Sequence, residues 1–476
     1  MRGADTGTEV AVLGGGPGGY AAAFLAADLG KRVALIDPGE NPGGVCLYRG
    51  CIPSKALLHV ARVIVESREA AGWGVRFSEP QIDLDKVRAW KEGVVERLTS
   101  GLGQLCKARG VRFVQGRGEF LDPRTVKVQK GRGGEETLSF EHAVLATGSR
   151  PAGLPGVSRD SGRVLDSTAA LELRDVPKTL LVVGGGYIGL ELGTVYAALG
   201  SKVSLVEMTP GLLPGVDRDL VNVLAKRLAK TFDSVRLGTR VAEVKEEKKG
   251  VRVRFEGGGA GPSEAVFEKV LIAVGRAPNS EGLGLENTRV ERDGRGFVRV
   301  DAQRRTAEPS IFAIGDVAGE PMLAHKAAHE GRVAAEVIAS ERRTFEPAAV
   351  PAVVFTDPEI AWCGLTETRA KEEKIPVHAA RFPWAASGRA LTLGQSDGVT
   401  KLILHPETGR VLGVGIAGAG AGELIAEGVL AVEMAALAQD VGLTIHPHPT
   451  LSETLMEAAE VFHGRSAHLY RPKRGK

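Results

Sequence analysis

Cysteine is scarce in this chain, with four among 476 residues, and net charge is nearly absent at +3, from 61 basic and 58 acidic residues interspersed along the length. The charge balance gives none of the basic footprint of a nucleic-acid or anionic-membrane binder. A tetrahedral zinc site needs more ligands than these cysteines offer: only Cys46 and Cys51 are neighbours, while Cys106 and Cys363 stand isolated and read as core. Residues 1–9 lack an apolar signal region and are not an Arg- and Ser-rich amphipathic transit segment, which favours a cytoplasmic location. No apolar run reads as a membrane span, because Leu180 to Leu199, long enough in itself, contains a glycine turn and Glu191. The basic end RPKRGK, residues 471–476, reads as a solvated tail.

What the chain does have is glycine, 63 residues of it, with 43% apolar residues and length for about three domains. It also has one concentrated piece of thiol chemistry, GGVCLYRGCIPSK from Gly43 to Lys55. Two thiols five residues apart can form a reversible disulfide. Pro53 suits a first helical turn and KALLHVARVIV continues with apolar spacing, so Cys51 is expected at a helix N-terminus, where the dipole favours a thiolate. Lys55 opposes that dipole and so points to a local need for positive charge. Two buried small hydrophobes are the alternative reading of the same pair.

A repeat with a constant offset of 170 residues sets the architecture. Gly14, Gly16 and Gly19 correspond to Gly184, Gly186 and Gly189, and the strand ending at Asp37 corresponds to the strand ending at Glu207, each acid eighteen residues past its third glycine. Strand, glycine turn, helix and second strand make the dinucleotide-binding βαβ unit, in which the backbone approaches a pyrophosphate at the helix N-terminus and the acid accepts from ribose hydroxyls. Two such units predict an α/β protein holding two adenine dinucleotides. At the second unit Glu207 would repel a 2′-phosphate and VEMTPG has no arginine in reach, which favours a dinucleotide with a free ribose 2′-hydroxyl.

The later segments ATGSRP (Ala146 to Pro151), VLIAVGRAPN (Val270 to Asn279, read as one strand), Thr306 to Asp316, a helix from about Leu323 through PMLAHKAAHEG, and HPHPTLSE complete a series that resembles the pyridine nucleotide disulfide oxidoreductases over nearly the whole length. That resemblance implies two Rossmann-like domains plus a C-terminal α+β dimerisation domain: FAD binding by residues 1–152 and 278–346, NAD binding by 153–277, and a dimer interface in 347–476. It assigns Gly14, Gly16, Gly19, Asp37, Lys55 and Asp316 to FAD and Gly184, Gly186, Gly189 and Glu207 to NAD, with Thr147, Gly148, Gly275 and Arg276 as further cofactor contacts and Glu191 as the partner of Lys55. Within the family the likeness is to the branch that oxidises dihydrolipoamide with NAD. Cys46 is then the interchange thiol, Cys51 the thiolate beside the flavin, and His448 the general base, which the family draws from the partner subunit of a homodimer. Glu453 either orients His448 or completes a capping box with Thr450, and the local sequence allows both. The partners implied are lipoyl-bearing subunits of 2-oxo acid dehydrogenase or glycine cleavage complexes. His446 reads as a loop residue. An NADP-dependent glutathione reductase is disfavoured by Glu207, a mercuric reductase by an end without a cysteine pair, and a redox-inactive regulatory subunit by the presence of every reacting group. Tyr48, where the family has asparagine, is expected to narrow the substrate channel, shift the disulfide potential, or only pack, and Pro447 replaces the family's alanine.

Overall fold

The sequence repeat is a structural repeat. Strand Thr8–Leu13 enters helix Pro17–Asp28 through a glycine turn and returns as Val33–Asp37, its parallel neighbour; Thr179–Val183, Tyr187–Ala198 and Lys202–Val206 trace the same path. The four strands are buried almost throughout, as continuous apolar runs must be when helices cover both faces of a parallel sheet. The computed structural model describes residues 7–470 except 132, 159–161 and 259–260. The basic end at 471–476, expected as a solvated tail, and residues 1–6 of the N-terminal segment lie outside them.

The first sheet runs, in parallel, Arg112–Asp122, Val33–Asp37, Thr8–Leu13, Glu135–Leu145 and Ile311–Ala313. Its last strand arrives only after the chain has built the entire second unit. The long strands Arg112–Asp122 and Glu135–Leu145 continue beyond this sheet and pair with Thr125–Lys130 as an antiparallel meander. The second sheet repeats the plan: Ser234–Arg236, Lys202–Val206, Thr179–Val183, Lys269–Ile272 and Val164–Leu165 are parallel, with a separate meander of Thr239–Glu247, Gly250–Gly257 and Glu264–Phe267. Helix Ala324–Ile338 lies along helix Pro17–Asp28 through Ala22, Ala23, Ala334 and Ala335, side chains small enough for close approach. Thus the segment after Asp316 is fixed to the first glycine helix.

One expectation is corrected. Val270 to Asn279 is not a single strand: Lys269–Ile272 ends in the second sheet, Gly275 turns with φ of +124°, and Arg276–Pro278 pairs antiparallel with Ser149–Pro151. Only glycine adopts that φ readily, so the continuous apolar run conceals a corner. The resulting two-stranded ribbon is where the chain crosses between the sheets.

A third, antiparallel sheet has the order Ala352–Val354, Glu359–Gly364, Val411–Gly418, Val399–Leu404, His378–Pro383, and helices Ala421–Glu433 and Glu453–His463 contribute to its core. Among the described residues no helix is long and apolar enough to cross a membrane. Leu180 to Leu199 is strand, turn and helix, as read.

Lys401 ties this third sheet to the second unit. Its ammonium, 1% exposed, donates to Asp217 (2.7 Å), Asp219 (2.7 Å) and Glu367 (2.9 Å), and Arg381 adds a bond to Asp219 (2.7 Å). Burial pushes the Asp217 and Asp219 carboxyls up, but the Lys401 bonds together with backbone N–H groups at Asp217 and Arg381 at Asp219 outweigh it, leaving both below the ordinary value. Replacing Lys401 by Met is expected to cost about 3 kcal/mol, because the buried Asp217 loses its counter-charge and the half-buried Asp219 and Glu367 are left with Arg381 alone. The loss is full above the ordinary carboxylate range and shrinks as pH falls through the lowered values, where protonation relieves the repulsion. Denaturant unfolding of both proteins across that pH range measures it.

Candidate active site

Each nucleotide turn is held by its own acid. Gly15 N–H donates to Asp37 Oδ2 (2.6 Å) and Gly39 N–H to Oδ1 (2.8 Å); Gly185 N–H donates to Glu207 Oε2 (2.6 Å) and Thr209 N–H to Oε1 (2.7 Å). These carboxylates lock the turn while keeping lone pairs free, since an ionised carboxylate accepts about four hydrogen bonds. Gly14 (φ +107°) and Gly184 (φ +110°) have no room for a side chain, a Cβ falling 2.2 Å from Ala146 O and 2.3 Å from Ala273 O. The middle glycines differ. A Cβ on Gly186 would meet nothing within 4 Å and one on Gly16 only Gly44 Cα at 4.0 Å, so an open surface lies at each helix N-terminus, where backbone N–H groups lack intrahelical partners. Both turns therefore fit a dinucleotide pyrophosphate. Arg218, near the second turn, spends four hydrogen bonds on the carbonyls of Leu212, Leu213 and Val216.

The cysteines stand on consecutive helices, Cys46 within Gly44–Arg49 and Cys51 as first residue of Cys51–Glu69. Cys51 is exposed and Cys46 half-buried, which disposes of the reading as two core hydrophobes. A hydrogen bond from the Cys46 thiol, helped by the Lys55 charge against the cost of burial, lowers Cys51 to about 7, and the same bond with burial pushes Cys46 up. The proton therefore rests on Cys46 and the negative charge on Cys51. Lys55 Nζ lies 2.8 Å from Glu191 Oε2 and 4.5 Å from the Phe355 ring centroid, and Phe355 N–H donates to Glu191 Oε1 (3.0 Å). Cys106 and Cys363 are buried, as read, and burial raises both thiols. The Tyr48 hydroxyl accepts from Asn41 N–H (3.2 Å) and donates to Asn41 O (3.1 Å), pinning the loop beyond Asp37. Of its three expected roles, packing is the one its contacts support.

Asp316, in the turn Gly315–Val317, accepts from Ser149, which in turn accepts from Arg276 Nε (2.7 Å); Arg276 also donates to Ser149 O (2.8 Å). Thr147 Oγ1 donates to Asn279 O (2.7 Å), and Asn279 N–H donates to Gly148 O (2.9 Å). Thr147, Gly148, Gly275, Arg276 and Asp316 thus meet at the crossing ribbon. Two residues here were not singled out from sequence. Glu330, fully buried, accepts from Gly315 N–H (2.6 Å), Arg304 (2.9 Å) and Lys326 (3.0 Å), and so sets the turn that carries Asp316. Its one sequence signal is Lys326 four residues earlier on the same helix face. Tyr187, 38% exposed at the start of the second glycine helix, has its phenol pushed up to about 12, chiefly by partial desolvation, and lies within electrostatic reach of Arg276, Asp316, Cys51 and Glu191.

His448 and Glu453 form a separate group. His448 Nδ1 bonds Glu453 Oε1 (2.9 Å), and Glu453 Oε2 accepts from Thr450 N–H (2.7 Å), so the acid orients the histidine and holds the loop backbone; the capping box expected with Thr450 is not formed, since helix Glu453–His463 has Ser452 as its N-cap. Burial raises the Glu453 carboxyl, yet those two bonds leave it below its ordinary value. His448 is 74% exposed, and among the described residues no hydrogen bond or ion pair joins it or Glu453 to the cysteine pair.

Comparison with known proteins follows the same division. A family model described as pyridine nucleotide-disulphide oxidoreductase matches residues 8–331, and one described as the dimerisation domain of that family matches 350–459. The chain is 50% identical over 456 residues to dihydrolipoyl dehydrogenase of Vibrio cholerae serotype O1, covering 96% of each, and 46% identical over 462 residues to that of Geobacillus stearothermophilus, covering 97% of each. Among solved structures it is similar to LpdA from Mycobacterium tuberculosis, with TM-score 0.88 and 28% identity over 95% of this chain and 99% of that one. It is also similar to the HOCl-induced flavoprotein disulfide reductase RclA from Escherichia coli, with TM-score 0.85 and 27% identity over 96% of this chain and 99% of that one.

In the dithiol form, ultraviolet thiolate absorbance is expected to titrate with a midpoint of about 7. Cys46→Ala should move that midpoint up toward the ordinary thiol value, and Lys55→Met should move it up by less, in the order of the two causes. An unmoved midpoint in Cys46→Ala would contradict the shared proton.

Proposed function

The chain belongs to the pyridine nucleotide-disulphide oxidoreductase family, and from that premise we propose how its residues carry the reaction. The activity is that of a dihydrolipoyl dehydrogenase, oxidising dihydrolipoamide to lipoamide and reducing NAD+ with FAD as cofactor. The observation that carries the residue assignment is the asymmetry of the cysteine pair: Cys51 lowered at a helix start beside Lys55, Cys46 holding the proton. Gly14, Gly16, Gly19, Asp37, Lys55, Thr147, Gly148 and Asp316 are assigned to FAD, and Gly184, Gly186, Gly189, Glu207, Gly275 and Arg276 to NAD, with Glu191 holding Lys55 in place. The three sheets support a division into an FAD domain of residues 1–152 and 278–346, an NAD domain of 153–277 and an interface domain of 347–476.

FAD, when bound, converts an electron pair delivered by thiols into one that NAD+ accepts as hydride. The protein's own part begins with His448, which takes the proton of one substrate thiol, because only a thiolate attacks a disulfide. That thiolate bonds to Cys46 Sγ, the Cys46–Cys51 bond breaks, and Cys51 leaves as the thiolate its surroundings favour. The second substrate sulfur then attacks the sulfur held by Cys46, closing the lipoyl disulfide, and its proton passes to the departing Cys46, the thiol that keeps it. His448 returns its proton to solvent. Two electrons now rest on the cysteine pair.

The matched dimerisation domain supports a homodimer, and Leu430 (61% exposed), Met434 (71%), Leu443 (72%) and Ile445 (95%) give it an apolar face beside His448. In this reading His448 and Glu453 serve the cysteine pair of the partner subunit, which accords with their separation from their own chain's pair. The dithiol is carried by lipoyl-bearing subunits of 2-oxo acid dehydrogenase or glycine cleavage complexes, and the need for NAD+ supports a cytoplasmic setting.

His448→Gln is expected to slow dihydrolipoamide oxidation by about 10²- to 10⁴-fold while NADH diaphorase activity survives, since that electron path needs no thiol deprotonation. Mixed dimers of His448→Gln with Cys46→Ser should recover near half of normal turnover, and verified mixed dimers that stay inactive would contradict the arrangement across subunits. Glu207→Arg should erode the preference for NAD over NADP in kcat/KM; equal use of both by the unmodified protein would overturn the role given to Glu207.

A further inference from the structure

The segment that presents His448 has almost nothing in its backbone to hold it. Among the described residues, 445–450 belong to no helix or strand and make no backbone-to-backbone hydrogen bond. Its placement therefore rests on side chains, and one of them breaks the local pattern. Ile445 is 95% exposed and the His448 side chain 74%, yet the side chain of His446 between them is 4% exposed. The imidazole that reads from sequence as an ordinary loop residue is driven inward.

Its two nitrogens are both engaged. Nδ1 lies 2.8 Å from Thr444 O and Nε2 lies 2.7 Å from Glu427 Oε1. A carbonyl only accepts, so Nδ1 donates to Thr444 O, and Nε2 faces the Glu427 carboxylate. Glu427 belongs to helix Ala421–Glu433, whose Ile425 and Val432 sit in the core of the third sheet. The loop is thus fixed at residue 446 to a core helix. On its other side it is fixed by Glu453, which bonds His448 Nδ1 and Thr450 N–H, while Thr450 Oγ1 donates to Pro447 O (2.7 Å).

We propose that His446 and Glu427 form the peg that positions His448 for proton abstraction, His446 acting as a positioning residue through the loop it anchors. This rests on reading His448 as the base. Glu453 holds the loop only at its C-terminal end, through the His448 ring and the Thr450 N–H. The peg supplies the second point, and two points are needed to hold a short segment without backbone partners.

The test compares His446→Ala, Glu427→Leu and Glu427→Gln in the full-length dimer, with NADH diaphorase activity reporting an intact fold. His446→Ala and Glu427→Leu should each lower kcat for dihydrolipoamide by about 10- to 100-fold, the scale of a misplaced reacting group, with little change in KM. Glu427→Gln should retain most activity, because with a neutral ring Nδ1 still donates to Thr444 O and the amide donates to Nε2. In a His448→Gln background His446→Ala should cost nothing more, since its effect passes through His448. Full activity in His446→Ala and Glu427→Leu, a Glu427→Gln loss as large as that of Glu427→Leu, or a further loss in the double variant would each overturn the peg. Unimpaired turnover of His448→Gln alone would instead remove the base on which the peg depends, and that single variant tells the two failures apart.

Discussion

The pairing of Lys55 with Glu191 is the contact on which the site depends. Lys55 lies one turn along the helix that Cys51 begins, Glu191 one turn into the second glycine helix, and the other Glu191 oxygen takes the Phe355 N–H just beyond the first strand of the third sheet. A carboxylate 4% exposed cannot stand there unpaired, since an uncompensated buried charge costs several kcal/mol. The requirement to satisfy one buried acid therefore brings the redox helix, the second nucleotide unit and the C-terminal sheet into one register. Lys55 is left close enough to favour the Cys51 thiolate while its own charge is answered by Glu191.

The same economy recurs wherever an acid serves the site. Asp37 and Glu207 each use both oxygens to lock a glycine turn and retain capacity for a ribose. Glu330 spends one oxygen on Gly315 N–H, so that Asp316 is presented, and the other on Arg304 and Lys326. Glu453 divides itself between the backbone N–H of Thr450 and a histidine ring. At Glu330 and Glu453 one oxygen is tied to backbone N–H, which fixes the direction of the second. The departures from the family pattern respect this scheme: Tyr48 braces the loop after Asp37 through Asn41, and Pro447 offers its carbonyl to Thr450.

What the sequence by itself determined is everything carried by local rules. Glycine spacing with an acid at a constant remove dictated both βαβ units, and Cys-x4-Cys followed by Pro placed Cys51 at a helix start, because turn geometry and capping depend on neighbours within a few residues. The chain order of motifs, through family likeness, indicated the interrupted first domain. Tertiary structure alone decided what depends on distant partners. The corner at Gly275 inside an apolar run, the three acids gathered on Lys401, the buried Glu330 and the inward turn of His446 are set by groups on other elements, which no local periodicity encodes. So too the exposure of His448 beside an apolar face: a side chain's chemistry is written in its own residue, but whether it is buried, paired or left open is written in what packs around it.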